Sequence, residues 1–198
     1  SAGRVVLATS TDPRDTVLED IATSAGFACF RGSADDKLIR YRDAALAYGL
    51  DFVVVVDGDD PFVSVTHIDR IIDHAAHSGD DYIICDGLPV GATGFGLSTG
   101  GLQRVCANRG EENTEIWASY YLENPAFRCT KLTESDPRWM RPDIRMTLDY
   151  PEDYAFFTGV ADGLAAEDRD TSFENVMDYL SRHPEAADIN QGVQQAYE

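Results

Sequence analysis

Residues 51–61 read DFVVVVDGDDP, in which four consecutive valines run directly into a turn that carries three aspartates. An uninterrupted run of β-branched residues is typical of a parallel strand that is covered on both faces. Asp-Gly and Asp-Pro pairs favour turns, so the strand should end where the aspartates begin. The stretch therefore predicts a buried strand over residues 51–56 that delivers carboxylates to the carboxyl edge of a sheet.

Strands and helices are predicted to alternate on either side of this stretch. Further strands are predicted over residues 5–8, 27–30, 82–85, 127–132 and 144–148. Helices are predicted over residues 13–25, 34–48, 66–77, 102–106, 115–122, 151–164 and 173–180, and a glycine-punctuated excursion over residues 88–97. This alternation indicates an α/β fold, a three-layer α/β/α sandwich with a mixed, mostly parallel sheet. No linker divides the chain, so we expect one domain over residues 1–198 with a C-terminal helical extension over residues 166–198.

Charge and composition exclude several classes of function. The chain has 16 Lys and Arg against 35 Asp and Glu, a net charge of −19, which repels nucleic acid. The longest apolar run, residues 52–56, is far shorter than the roughly 20 residues of a membrane span, so we expect no membrane partner. The four cysteines, Cys29, Cys85, Cys106 and Cys129, lack zinc or disulfide spacing. They predict buried thiols in a cytoplasmic protein.

Two acidic segments follow predicted strands, where open α/β sheets bind their ligands. The first is the aspartate-rich turn at residues 57–61, whose clustered carboxylates suit Mg²⁺; an ordinary acidic turn is the alternative. The second contains Asp149. If Pro151 opens a helix, Tyr150 is its N-cap, and Asp149 lies one residue outside and is free to face the site. The alternative is that Asp149 only complements the helix dipole.

A third candidate segment consists of Arg31, Gly32 and Ser33, after the predicted strand over residues 27–30. Backbone N–H groups, a hydroxyl and a guanidinium at a helix start suit a phosphate or a ribose. In the alternative, Ser33 caps the helix and Arg31 lies on the surface. The histidines are predicted to be partly exposed helix or tail residues with no Ser or Cys nucleophile beside them; they are His67, His74, His77 and His183.

Three segments together carry a resemblance to a known family. Residues 31–41, RGSADDKLIRY, resemble the RGS-x-x-D-x-L-x-R-Y stretch of cytidylyltransferases of the spore-coat polysaccharide type, relatives of acylneuraminate and deoxy-manno-octulosonate cytidylyltransferases. Residues 54–61, VVVDGDDP, are similar to the V-x-x-x-G-D-x-P motif of that family. Residues 145–153, RMTLDYPED, are similar to its R-x-T-x-D-Y-P-E-D motif. The order and the spacing of the three motifs agree as well.

The resemblance implies a GT-A-like, Rossmann-related nucleotidyltransferase. Such an enzyme transfers CMP from CTP to an acidic sugar or a related anionic acceptor, such as a phosphonate, and releases pyrophosphate. By the same resemblance, Asp59 and Asp149 would be the Mg²⁺ ligands, and Arg145 would hold the anion of the acceptor. The residues implied to contact the nucleotide are Arg31, Gly32, Ser33 and Asp36.

The chain departs from the family pattern in two places. Family members begin with a strand and a glycine-rich basic loop that grips the triphosphate, and this chain starts about one βα unit later. We therefore expect the sheet to be incomplete. The chain is then a fragment, or the missing strand and loop are supplied from elsewhere, or the activity is lost. Relatives that use keto-acid sugars carry an acidic residue and a Glu-His pair, and Gly94 and Ile116 stand in their place here. This difference leaves the identity of the acceptor open. The sequence also leaves a homodimer open.

Two other functions remain as alternatives. In a GT-A glycosyltransferase, Asp57 and Asp59 would form a DxD metal site for a nucleotide sugar, although the segment over residues 145–153 argues against this. The second alternative is a non-catalytic nucleotide- or sugar-binding module, which would explain the absence of the triphosphate loop.

Overall fold

A computed structural model describes residues 3–108, 110, 114 and 117–193. The strands of this part of the chain are β1 (Val6–Ser10), β2 (Ala28–Gly32), β3 (Phe52–Val55), β4 (Tyr82–Asp86), β5 (Phe95–Ser98) and β6 (Cys129–Thr133). The helices are α1 (Thr16–Ser24), α2 (Lys37–Ala47), α3 (Val65–Ala75), α4 (Thr99–Asn108), α5 (Ser119–Leu122), α6 (Pro151–Ala166), α7 (Phe173–Arg182) and α8 (Pro184–Ala187). Residues 115 and 116, where a helix was predicted to begin, lie outside the described residues.

The strands form two sheets. β1 and β2 pair in parallel, with Val6 opposite Ala28 and Ser10 opposite Gly32. The other four strands form a sheet in the order β3-β5-β4-β6. At the end of β5, the Ser98 N–H donates to the carbonyl of Asp81, the residue just before β4, at 3.1 Å. The end of β5 thus lies beside the start of β4. β5 therefore runs antiparallel to β4.

β4 and β6 run in the same direction. The Asp81 N–H donates to the Arg128 carbonyl at the start of both strands, and the Glu134 N–H donates to the Asp86 carbonyl at their ends. A sheet with both parallel and antiparallel neighbours is a mixed sheet. The predicted mixed α/β fold class is thus confirmed.

The valine strand is less buried than its sequence predicted. Every residue of β3 is only half-buried, and Val56 beyond it is 37% exposed. In the described part of the chain β3 is an edge strand with β5 as its one neighbour, so no strand shields its other side from solvent. The prediction of a strand covered on both faces was wrong for this reason.

Two further segments differ from their predicted structure. The excursion over residues 88–97 contains the start of β5, which Gly96 hid from the sequence pattern. Residues 144–148 form no strand and make only one isolated bridge, between Val90 and Arg145. Their partner segment cannot form a longer ladder because Gly87 and Gly91 hold left-handed turns there, with φ of 93° and 82°.

Contacts along the chain define two compact units. Unit 1 comprises Ser1–Val54, Ile72–Ile83 and Gly96–Thr130, and unit 2 comprises Val55–Ile71, Ile84–Phe95 and Lys131–Glu198. The core of unit 1 contains Leu38, Ala45, Tyr82, Leu102 and Tyr121, all almost fully buried. The core of unit 2 contains Phe62, Phe156, Val160, Leu164 and Val176. A single domain over residues 1–198 remains a prediction.

Helices α7 and α8 lie in the stretch predicted as a helical extension. On α7, Phe173, Val176, Met177 and Leu180 form one buried stripe at helical spacing. Helix α6 approaches α7 closely at Gly163, where a Cβ atom would lie 2.3 Å from the Tyr179 hydroxyl. Among the residues that the structure describes, no helix has the combination of length and apolar character that a membrane span needs.

Candidate active site

The turn after β3 gathers three carboxylates in unit 2. One oxygen from each of Asp57, Asp59 and Asp60 lies within 4.8 Å of the other two. The Asp60 N–H closes the turn by donating to the Asp57 carbonyl at 3.2 Å. Like charges at this spacing repel, and oxygen ligands of this kind are those that hard divalent cations prefer. The donor set therefore fits a divalent metal ion.

The loop that carries Asp149 lies against this turn. The Leu148 N–H donates to the Asp59 carbonyl at 2.8 Å, so the two chain segments are joined beside the carboxylates. Burial is the main cause that raises the pKa of Asp60 to about 7, and the charges of Asp59, Asp57 and Asp149 raise it further. The structure thus places the segments that carry Asp59 and Asp149 in contact, and their role as metal ligands remains a prediction from the resemblance.

Gly91 allows a third loop to reach the same place. Its φ is +82°, and a Cβ atom there would lie 2.3 Å from the Met146 carbonyl oxygen and 2.7 Å from Asp60 Oδ1. The first contact is with backbone and cannot be relieved by a side-chain rotation. Only glycine therefore fits between the acidic turn and the Asp149 loop.

We expect Gly91→Ala to lower the free energy of unfolding by about 2 kcal/mol or more, because left-handed strain and the close contact add. Urea unfolding followed by circular dichroism measures this. Gly159→Ala in α6 is the matched control, since the space around Gly159 is open and alanine favours a helix. A Gly91→Ala variant as stable as the wild-type chain would contradict the close packing described here.

Asp149 is held by an ion-pair network rather than by helix capping. Arg145 Nη2 donates to Asp149 Oδ2, and Arg145 Nε donates to Asp153 Oδ1 at 3.0 Å. Asp153 Oδ2 accepts from the N–H groups of Asp149 and Tyr150, each at 3.0 Å. Pro151 is the first residue of α6 and Tyr150 its N-cap, as predicted. The side chain and the backbone of Asp149 are therefore both fixed through Asp153 and Arg145.

Arg145 is buried beside Asp149 and is part of an ion-pair network. Its side chain is 3% exposed and pairs with Asp149 and with the fully buried Asp153. Burial alone would raise the pKa of Asp153, but the donors around it outweigh burial and lower that pKa. Arg145 Nε and Nη2 are therefore taken up by these two aspartates. These contacts fix the side chain of Asp149, and the sequence hid them because residues 144–148 were predicted to be a strand. That Arg145 holds the anion of the acceptor remains a prediction from the resemblance.

The basic motif lies in unit 1, at the end of β2. Arg31 was expected to contact the nucleotide, but its Nε donates to the Ser10 carbonyl at 3.0 Å and its Nη2 to the Asp12 carbonyl at 2.7 Å. A Cβ atom at Gly32 would lie 2.7 Å from the Phe30 ring, so the glycine serves packing. Arg31 therefore ties the end of β2 to the end of β1 and to the turn at Asp12 that follows it.

Ser33 and Asp36 continue the motif into α2. The Asp36 side chain caps α2 by accepting from the Ile39 N–H at 2.9 Å, so the alternative that Ser33 is the cap was wrong. The Ser33 carbonyl accepts from Arg40 Nη1 at 3.0 Å. Nucleotide contacts by Arg31, Gly32, Ser33 and Asp36 remain predictions from the sequence.

Sequence reasoning missed a buried network around His67. This residue was predicted to be partly exposed with no serine beside it, yet it is fully buried, with Nδ1 2.6 Å from Ser64 Oγ and Nε2 2.6 Å from Glu134 Oε2. Ser64 immediately precedes α3, and the Ser-x-x-His spacing was the available signal. Ser64 is also fully buried, so it presents no nucleophile to a substrate.

Glu134 gives this network a predicted pH dependence. Burial would raise the pKa of Glu134, but hydrogen bonds from the Asp136 N–H, His67 and the Ser135 N–H lower it from 4.5 to about 2. A carboxyl whose folded pKa is depressed stabilises the fold above pH 4.5, and this contribution is lost as the pH falls toward 2. Wild type should therefore unfold at higher urea than Glu134→Gln at pH 6, and the difference should shrink between pH 5 and pH 2.

Urea midpoints measured across that pH range test the prediction. Glu185→Gln, at an exposed glutamate, should keep the wild-type pH profile. A constant difference between wild type and Glu134→Gln at every pH would contradict the role given to the Glu134 charge.

An acidic cluster beside the carboxyl end of a strand in a mixed α/β sheet is an arrangement suited to a metal-assisted nucleotidyltransferase. A family model described as Cytidylyltransferase matches residues 1–124, and the chain belongs to that family. It is therefore a nucleotidyltransferase, and the resemblance drawn from the three motifs is confirmed.

The chain is also similar to individual proteins. The chain is 29% identical over 185 residues to the spore coat polysaccharide biosynthesis protein SpsF of Bacillus subtilis, covering 92% of this chain and 77% of that protein. It is 25% identical over 192 residues to the uncharacterized protein MJ1063 of Methanocaldococcus jannaschii, covering 96% and 78%. A solved cytidylyltransferase from Leptospira borgpetersenii superposes with a TM-score of 0.77 at 21% identity, covering 92% of this chain and 78% of that one. The last comparison shows a shared fold.

Proposed function

We propose that this chain transfers CMP from CTP to an acidic sugar or a related anionic acceptor in a Mg²⁺-dependent reaction. An acceptor oxygen forms a bond to the α-phosphorus of CTP as the bond from that phosphorus to the bridging oxygen breaks. Pyrophosphate leaves, and the acceptor hydroxyl gives its proton to solvent. Membership of the cytidylyltransferase family supports the CMP transfer, and the similarity to a spore coat polysaccharide biosynthesis protein supports a sugar-type acceptor.

The observation that carries the proposal is the link between the two acidic segments. The hydrogen bond from the Leu148 N–H to the Asp59 carbonyl, 2.8 Å long, joins the segments that carry Asp59 and Asp149. We propose that these two carboxylates hold Mg²⁺, which when bound would neutralise phosphate charge and orient the α-phosphorus. Asp57 adds negative charge beside them, and this charge increases the attraction for a cation.

The chain's own groups would contribute position and charge rather than a covalent nucleophile. Arg145 and Asp153 set the direction of the Asp149 carboxylate through the bonds described above. Ser64, the hydroxyl beside a histidine, is fully buried and anchors the start of α3. Phosphoryl-type transfer needs little covalent chemistry from the protein, so this arrangement suits the proposed reaction.

A pyrophosphate assay with CTP, Mg²⁺ and a panel of acidic sugars and phosphonates tests the proposal. We expect pyrophosphate only when CTP, Mg²⁺ and a suitable acceptor are all present, and ATP in place of CTP should give little. Hydrolysis of a nucleotide sugar without pyrophosphate exchange would instead support the GT-A glycosyltransferase alternative. Tight CTP binding that is independent of Mg²⁺, with no turnover, would support a non-catalytic binding module.

The proposal also includes where the reaction takes place. We place it in the cytoplasm, where thiols such as Cys29 and Cys85, both free in this structure, stay reduced. The sequence leaves both the identity of the acceptor and a homodimer open.

A further inference from the structure

The C-terminal segment, residues 184–193, reaches the network that holds Asp149. Asn190 is fully buried although it is polar and belongs to this last segment of the described chain. Its Nδ2 donates to Asp153 Oδ1 at 2.8 Å and to the Arg145 carbonyl at 3.2 Å. One side chain of the segment therefore touches both residues that position Asp149.

Asp153 is the point where these contacts meet. Its Oδ1 accepts from Asn190 Nδ2 and from Arg145 Nε, and its Oδ2 accepts from the Asp149 N–H. With Tyr150 and Arg145 Nη2 also donating to Oδ2, every direction of approach to the buried carboxylate is used. A shift of the Asp153 carboxylate would therefore move the backbone of Asp149 and the guanidinium that pairs with it.

The asparagine itself is only half satisfied. Its Oδ1 is buried and has no hydrogen-bond partner among the residues that the structure describes. A buried acceptor without a partner costs free energy, so an apolar residue with the same shape would serve packing at least as well. The amide at this position thus has its use in the two bonds that Nδ2 donates to the Arg145 and Asp153 network.

We infer that Asn190 is a positioning residue of the proposed metal site, acting on Asp149 through Asp153 and Arg145. The inference rests on the proposed function and extends it, because it makes the C-terminal segment part of the site. Partners that orient a metal ligand typically change metal affinity about 10- to 100-fold when they are removed. Asn190 should have an effect of this kind on metal affinity, although it contacts Asp153 and Arg145 rather than the ion.

Two variants of Asn190 test the inference, with one control of similar burial. Asn190→Ala removes both bonds, and Asn190→Asp places a second carboxylate beside Asp153 Oδ1. Val176→Ala truncates a fully buried side chain of α7 and provides a destabilised chain with the Asp149 network intact. Mn²⁺ binding by the chain alone, followed by electron paramagnetic resonance, reports on the site without turnover.

We expect Asn190→Ala to bind Mn²⁺ about 10-fold more weakly than wild type and Asn190→Asp more weakly still. Hydrogen exchange at the amides of Asp149 and Tyr150 should also accelerate about 10-fold in Asn190→Ala, since both amides donate to Asp153. Val176→Ala should change neither quantity at a temperature where all the chains are folded.

The outcomes separate this inference from the proposed function. If wild type binds Mn²⁺ and both Asn190 variants match Val176→Ala in affinity and in amide exchange, the inference is overturned and the proposed function stands. If wild type binds no Mn²⁺ and gives no pyrophosphate with CTP, both are overturned. Should Asn190→Asp fail to fold, Asn190→Ala decides the matter by the same two measurements.

Discussion

Asp59→Asn and Asp149→Asn are each expected to lower kcat by about 10³-fold or more while the chain stays folded. Each change removes one negative oxygen ligand from the proposed Mg²⁺ site, and charge stabilisation at a transferring phosphoryl group commonly contributes effects of this size. Asp59→Asn should also leave the metal-free chain at least as stable as wild type. The reason is that it relieves repulsion among Asp57, Asp59 and Asp60, whose carboxylates lie within 4.8 Å of one another.

Pyrophosphate release at saturating CTP and Mg²⁺, together with thermal unfolding of the metal-free chain, measures both effects. Asp162→Asn, on the exposed side of α6, is the control and should keep wild-type turnover. Turnover within about tenfold of wild type in either variant would remove that aspartate from the proposed metal site.

Arg145→Met is expected to have the largest effect on stability, lowering the free energy of unfolding by about 3–5 kcal/mol. The variant leaves Asp153, which is fully buried, without the guanidinium that pairs with it at 3.0 Å. Removing one partner of a buried pair strands the other charge, and the loss exceeds what the intact pair contributed. Arg141→Met is the matched control, because the Arg141–Asp143 pair is partly exposed and should contribute less than about 1 kcal/mol.

The same variant separates the two roles considered for Arg145. If Arg145 positions Asp149, urea unfolding of Arg145→Met should show the large loss in the free energy of unfolding. The affinity of the chain for Mg²⁺ should also weaken. If Arg145 holds the acceptor's anion, the KM for the acceptor should rise while the urea midpoint stays at the wild-type value. The second result would contradict the ion-pair network as the main role of this residue.

Sequence patterns predicted the fold class because they depend on local periodicity. Local sequence alone predicts strand β3 from its valines. It also predicts helix α7 from a stripe of apolar residues at helical spacing, which are Phe173, Val176, Met177 and Leu180. Strand β5 was missed because its four residues include a glycine and it pairs with β3, which is distant along the chain. The partial burial of β3 was missed for a related reason, since burial depends on which strands flank it.

The acidic part of the candidate site was predicted better than the residues that support it. Motif spacing pointed to Asp59 and Asp149, and the structure joins their loops through Leu148. The pairing of Arg145 with Asp153 and Asn190 depends on tertiary contacts up to 45 residues apart, which no local pattern encodes. His67 was misjudged because its helix carries polar residues on most sides, while burial by Trp139 and Phe173 comes from elsewhere in the chain.

Anomalous diffraction from Mn²⁺ in crystals grown with CTP tests the central claim most directly. We predict one anomalous peak in contact with carboxylate oxygens of both Asp59 and Asp149, at about 2.1 Å. The peak should touch a phosphate oxygen of the nucleotide as well. A Mn²⁺ ion bound to the nucleotide but ligated by neither aspartate would contradict the claim that these two residues form the metal site.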